Sequence, residues 1–213
     1  MSDVMTEEMR VSISTAGNIL APFYMMDPAM DEAWPFFQDL SEMNADALAQ
    51  EWPFGEVEQV KSAFGLMIAG AGEAQDKLSW EFRRLFVGPQ KKAAPPWGSV
   101  YTDHEGVMFG ETTIELRQWM RQHGLKKAVD EHMPEDHIGY MLMLMSFIAH
   151  EKPEILGEYL SFHLLTWSHH FFEVLKGATT YDFYRGLAQL SDVTLQGIQN
   201  ELGLEVETPR FFR

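Results

Sequence analysis

Apolar residues three and four places apart recur along most of the chain, and this spacing restricts the fold more than any other feature of the sequence. Leu116, Trp119 and Met120 make one such set, and Phe171, Val174 and Leu175 another. Each set falls on one side of a helix, while the period-two alternation of β-branched residues that marks half-buried strands is scarce. The fold class is therefore all-α. The same spacing predicts helices over residues 12–24, 29–40, 56–69, 74–86, 112–123, 135–150, 154–176 and 181–202. The first places Ile13, Ala16, Ile19, Leu20 and Phe23 on one face before Asp27-Pro28 interrupts it. Pro35 lies early in the second, where a missing backbone donor costs least, and Gly88-Pro89 ends the fourth.

Residues 88–110 break the pattern. They concentrate Pro89, Pro95, Pro96, Gly98 and Gly106 without a sustained period, which reads as a long loop. Trp97, Val100, Tyr101, Met108 and Phe109 argue that the loop is ordered, and ordered loops of this length are commonly functional. With 213 residues the chain can form one helical domain, residues 1–213, or two closely packed helical halves with this loop between them. The tail Pro209-Arg210-Phe211-Phe212-Arg213 is expected to fold back through its two phenylalanines.

Charge and composition narrow the chemistry. There is no cysteine, which excludes a disulfide scaffold, a thiolate metal site and a cysteine nucleophile together. Acidic residues number 32 against 16 basic ones, a formal net charge of −16 that repels a phosphate backbone and attracts a basic peptide. Acidity also serves solubility, the plainer reading of the same number. Met1-Ser2-Asp3-Val4-Met5-Thr6-Glu7-Glu8 lacks the positive region and apolar run of a secretory signal, and the richest apolar window, residues 138–149, is too short to span a bilayer. A cytoplasmic location is the expectation.

Three constellations are candidates for function. In the segment Trp80 to Pro89, Phe82, Leu85 and Phe86 share one helical face, which either enters the core or lines a groove beside the loop bearing Pro96 and Trp97. Taken alone the spacing favours the core; the proline pair favours a preorganised surface. In Met133-Pro134-Glu135-Asp136-His137, Pro134 suits a first helical position and the two acids suit the positive end of the helix dipole. The functional alternative is that Asp136 and His137 offer an acceptor and a titratable donor to an arginine or a backbone amide of a ligand. The third constellation, His163, His169 and His170, lacks the His-Glu-x-x-His spacing of zinc hydrolases, and no phosphate-binding loop, nucleophile elbow or dinucleotide turn occurs. No metal or cofactor is expected. Fourteen methionines, several at Met141, Met143 and Met145, suit core filling or an adaptable binding face.

The phrases Arg84-Leu85-Phe86-Val87-Gly88-Pro89, Pro95-Pro96-Trp97-Gly98-Ser99-Val100, Leu116-Arg117-Gln118-Trp119-Met120-Arg121, Pro134-Glu135-Asp136-His137 and Pro209-Arg210-Phe211-Phe212-Arg213 together resemble the TorD/DmsD/NarJ family of redox enzyme maturation chaperones. The resemblance implies a globular helical bundle with a long ordered loop between two helical halves. It implies a cytoplasmic, non-enzymatic chaperone that binds the twin-arginine signal peptide of a molybdoenzyme subunit of the dimethyl sulfoxide reductase type and delays export until the cofactor is in place. Contact with the Tat translocase and with cofactor-assembly proteins is a further expectation of the same resemblance. Carried over residue by residue, leader binding falls to Leu85, Phe86, Pro96, Trp97, Asp136 and His137, with Tyr24 and Gly110 as additional candidates. The chain departs from the family pattern at Phe82 and Gln90, where tryptophan is usual, and at Met133, where glutamate is usual.

A twin-arginine leader presents two guanidinium groups and then an apolar stretch, so a receptor needs acceptors beside an apolar trough. The expected arrangement is a trough of Phe82, Leu85, Phe86, Pro96 and Trp97 with Asp136 and His137 at its edge. In that arrangement Trp97→Ala or Phe86→Ala weakens leader binding with little change in stability, and His137, if ionised on binding, makes affinity vary between about pH 5.5 and 8. The alternatives are a metal-dependent hydrolase or nucleotide-binding enzyme using Asp136 and His137, and a structural adaptor without preference for a leader.

Overall fold

The computed structural model describes residues 5–89, 91–127 and 133–213; Gln90 lies outside them, as do residues 1–4. Among the described residues the regular structure is helical: α1 (Glu7–Leu20), α2 (Pro22–Met25), α3 (Trp34–Ser41), α4 (Ala45–Glu51), α5 (Val57–Ala71), α6 (Gln75–Phe82), α7 (Ser99–Thr102), α8 (Glu111–Gln122), α9 (Ile138–Glu151), α10 (Leu156–Tyr159), α11 (Leu165–Ala178) and α12 (Asp182–Glu201). Two wide π turns, Arg83–Val87 and Leu160–Leu164, continue α6 and join α10 to α11. No described helix is long and apolar enough to cross a membrane.

The chain divides into two compact units, each discontinuous in sequence. The first takes the N-terminal residues to Ala21, Pro96–Phe171 and Leu202–Arg213; the second takes Pro22–Pro95 and Phe172–Glu201. The long loop does hold a change of unit, but the units are not the two halves of the chain, because both ends of the sequence belong to the first.

In the first unit α1 begins earlier than the spacing suggests, because Thr6 caps it by accepting the Met9 N–H at 3.1 Å and Glu7 and Glu8 sit in the first turn. Its inner face buries Ile13, Ala16 and Leu20, while Ile19 is exposed rather than packed. The Ser14 and Ser146 hydroxyls meet at 2.8 Å where α1 packs on α9. Along α9, Met141 and Met145 are core and Met143 points out, which splits the methionine run between filling and surface. The tail folds back as expected: the Phe212 N–H donates to the Tyr101 carbonyl at 2.9 Å, and Phe211 stacks on His170 with ring centroids 4.0 Å apart.

In the second unit α5 and α12 form the main helical pair. Asn44 caps α4, a helix the apolar spacing did not reveal, by accepting the Ala47 N–H at 3.0 Å. Trp52 at the end of α4 donates through Nε1 to Thr194 Oγ1 at 3.0 Å. Pro35 stands in the first turn of α3, as expected. The α6 and π-turn segment stops at Gly88, whose φ of 103° is a conformation that residues with a side chain rarely adopt.

Candidate ligand-binding site

Within the first unit the Pro96 loop and the Pro134–His137 turn are joined by backbone hydrogen bonds. The Ile138 N–H donates to Pro96 O at 2.8 Å, and the Gly98 N–H to Asp136 O at 3.1 Å. Trp97 and His137 form an isolated antiparallel bridge and pack ring edge on ring face at 5.7 Å. Helix α9 starts at Ile138 rather than Glu135, so the two acids precede it and are not first-turn residues. The local cause is His137, the N-cap, whose Nδ1 accepts the Gly139 N–H at 3.1 Å. Glu135 is drawn instead to Arg117, which grips it with Nε at 2.9 Å and Nη2 at 2.7 Å. Burial alone would raise the Glu135 carboxyl, but the hydrogen bonds and charge of Arg117 outweigh it and hold that carboxyl below the usual range.

Asp136 is 2% exposed, and its Oδ2 accepts the Ser99 N–H at 2.7 Å, tethering the first turn of α7. Burial raises its pKa, opposed by that N–H. The Ser99 and Thr113 hydroxyls lie near enough to favour the charge, yet neither makes a hydrogen bond of proper geometry with Oδ1. His137 is buried too, and desolvation pushes its pKa down to about 3. Burial thus favours the neutral ring between pH 5.5 and 8. With Nδ1 committed to the Gly139 N–H, its proton sits on Nε2.

Gly110 precedes α8. A Cβ added there would lie 1.6 Å from Asp103 Oδ2, so the missing side chain lets Asp103 sit over the start of the helix. Asp103 Oδ1 accepts the hydroxyls of Thr102 and Thr112 at 3.4 and 3.3 Å.

Tyr24, Phe82, Leu85 and Phe86 belong to the second unit, and all four are buried. Phe86 meets Tyr24, Phe82 and Tyr184 edge to face at 6.0, 5.3 and 5.9 Å. The Tyr24 hydroxyl is paired with Ser191 Oγ at 2.8 Å. These side chains extend the inward stripe begun by Leu78, and the open trough expected of Phe82, Leu85 and Phe86 is corrected to core. Glu81, beside them, is buried and held by Arg84 through two contacts of 2.6 Å and by the Thr179 hydroxyl at 2.7 Å. The side chains this segment exposes are Trp80 and Val87.

Sequence reasoning missed a broad depression of the first unit. This groove of about 830 Å³ runs between α8, the π turn at Leu160–Leu164 and residues 205–209 of the tail. Asp103, Glu111, Glu115, Glu205 and Glu207 line it, with no lysine or arginine among its lining residues. Phe162 stands in it 70% exposed, carried outward on the π turn, a device that recurs at functional sites. The acidity of 205–207 was visible in the sequence, but nothing local tied it to α8. His163 lies on the same turn beside Trp119, and desolvation pushes its pKa down to about 4.

The sequence pattern of the nitrate reductase delta subunit family matches residues 27–173. The chain is 36% identical over 205 residues to a Tat proofreading chaperone DmsD of Haemophilus influenzae, covering 94% of this chain and 97% of that one. It is 33% identical over 208 residues to the Tat proofreading chaperone DmsD of Salmonella paratyphi A, covering 96% and 97%. The chaperone protein TorD of Vibrio cholerae is 28% identical over 136 residues, covering 58% of this chain and 61% of that protein. The fold is similar to that of a redox enzyme maturation protein from Archaeoglobus fulgidus, with a TM-score of 0.52 at 18% identity over 89% of this chain and 96% of that one. With a family pattern over residues 27–173 and relatives at 33% and 36% identity along nearly its whole length, the chain belongs to the TorD/DmsD/NarJ family of redox enzyme maturation chaperones.

Proposed function

We propose that the protein binds the twin-arginine signal peptide of a molybdoenzyme subunit in the cytoplasm and holds the precursor back from Tat export until its cofactor is inserted. It does so as a binding protein and not as a catalyst. The observation that carries this reading is the near full-length similarity to the two Tat proofreading chaperones. The chemistry is consistent: a net charge of −16 favours encounter with a cationic leader, with a strength that falls as salt rises. Asp136 and His137 fit the reading as parts of a rigid frame, since their side chains hold the Ser99 and Gly139 N–H groups. Direct contact of Pro96, Trp97 or Gly110 with the leader belongs to the same proposal, as do contacts with the translocase and with cofactor-assembly proteins.

Calorimetric titration of the full chain with a synthetic peptide carrying an Arg-Arg pair followed by an apolar stretch tests the reading. Saturable binding at micromolar concentration or tighter is expected, equivalent to about −8 kcal/mol or better. Absence of heat and of saturation overturns it. Affinity isolation with endogenous partners would then name the client, a molybdoenzyme precursor being the expected catch.

A further inference from the structure

We propose that the outer face of α9, with the basic recess beside it, is a docking surface of the first unit, and that its occupant is an acidic amphipathic helix of a partner protein. The inference goes beyond leader binding, because the charge it selects is opposite to that of a twin-arginine leader.

The sequence of α9 argues first. Residues 138–149 hold no charged group, and Tyr140 and Ser146 are their only polar side chains, so the helix is apolar on every side. Helices of that kind are covered all round. Here the cover is incomplete: Met141, Leu142, Leu144, Met145 and Ile148 are buried, while Met143 is 39% and Phe147 49% exposed. Those two residues, four apart, make one row that His150 continues, about 10 Å along the helix axis.

Shape comes next. The row borders a groove of about 480 Å³ whose other walls are Ser14 and Asn18 of α1 and the pair Leu125 and Lys126. A groove walled by two helices and flanked by an adaptable methionine suits the apolar stripe of a third helix, about two turns of it. A bilayer is flat where this surface is concave, and the net charge of −16 works against an anionic leaflet.

Charge names the partner. Leu125 and Lys126 also line a second recess of about 420 Å³, together with Arg117, Arg121, Lys127 and Glu135. The two carboxylates that line these recesses are already engaged: Arg117 grips Glu135, and Glu151 shares a hydrogen bond of 2.8 Å with His150. Arg121 and Lys126 are exposed, and among the described residues neither makes an ion pair. On a chain this acidic, a surplus of cations beside an apolar groove selects an occupant that brings carboxylates, and it gives a basic leader nothing to pair with.

The test uses the full chain in its own host. The photocrosslinking residue p-benzoylphenylalanine replaces Phe147 or, in a second variant, Met143; in a control it replaces Phe36, an exposed ring of the second unit. Adducts are mapped by mass spectrometry. Both groove positions are expected to mark a partner segment with apolar residues three and four apart and Asp or Glu beside them, and position 36 is not. Arg121→Glu/Lys126→Glu, which reverses two exposed charges, is expected to cut the adduct about fivefold or more. Arg121→Gln/Lys126→Gln gives the same readout in weaker form should the reversal disturb folding. The mapped segment, made as a synthetic peptide, is expected to bind the wild type in calorimetry equally with and without the Arg-Arg peptide. Adducts with a second copy of this chain, with the leader or with lipid overturn the assignment, as do the absence of any adduct and a yield indifferent to charge. None of these outcomes contradicts leader binding, which its own titration judges.

Discussion

Two regions of the molecule carry the residues a reader would choose for binding an apolar, basic leader, and they behave oppositely. In the second unit Phe82, Leu85 and Phe86 are closed inside a cluster of rings with Tyr24 and Tyr184. In the first, Phe162 stands in solvent amid carboxylates without ion-pair partners among the described residues. The closed stripe keeps the three- and four-residue spacing of core residues within one segment, although Leu85 and Phe86 lie on the π turn Arg83–Val87. The open groove is spaced as no single helix could be, with walls from α8, a π turn and the tail. Apolar spacing within one segment marks what holds the chain together, whereas a groove assembled from several segments leaves no such mark in the sequence.

That contrast can be broken most sharply at Phe86. Phe86→Ala removes a buried ring and is expected to cost about 3–5 kcal/mol in chemical denaturation. A variant of near wild-type stability would show the stripe to be open in solution and restore it as a trough. Acid provides the next largest effect. His137 is held neutral with a pKa near about 3, against 6.5 when unperturbed, so below 6.5 the unfolded chain binds the proton and the folded chain does not. Stability is therefore full above pH 6.5 and falls by about 1.4 kcal/mol per pH unit as pH drops toward the folded pKa. His163 adds to the fall in the same direction. Denaturation midpoints from pH 8 to 4.5 check the slope; His137→Asn, which keeps a capping acceptor, should flatten it, and an unaltered slope would remove His137 as its source.

Asp136→Ala ranks third, because it strands the Ser99 N–H; a loss of about 1–3 kcal/mol is expected. Asp136→Asn retains an acceptor for that N–H and should lose less, which separates the tether from the charge. Phe162→Ala is expected to shift stability by no more than about 0.5 kcal/mol in chemical denaturation. Phe86→Ala and Phe162→Ala thus set a core ring against an exposed one.

Much of the fold was legible beforehand because its causes are local. Pro35 in a first turn, Gly88 at a stop and the returning phenylalanines each act within a few residues. The start of α9 was misjudged because Pro134 followed by two acids is as good a helix entry as His137 is a cap, and only the distant Arg117 and Ser99 draw Glu135 and Asp136 out of the helix. Phe162 was hidden because spacing arguments assume ordinary turns, and a π turn rotates everything that follows it. The division into units was hidden by topology, since no composition change announces that residues 202–213 join the same unit as α1.

The position of that returning segment has a bearing on biosynthesis. Residues 205–209 wall the groove beside residues 102–115 and 161–166, so the groove gains that side only after residue 209 has been made.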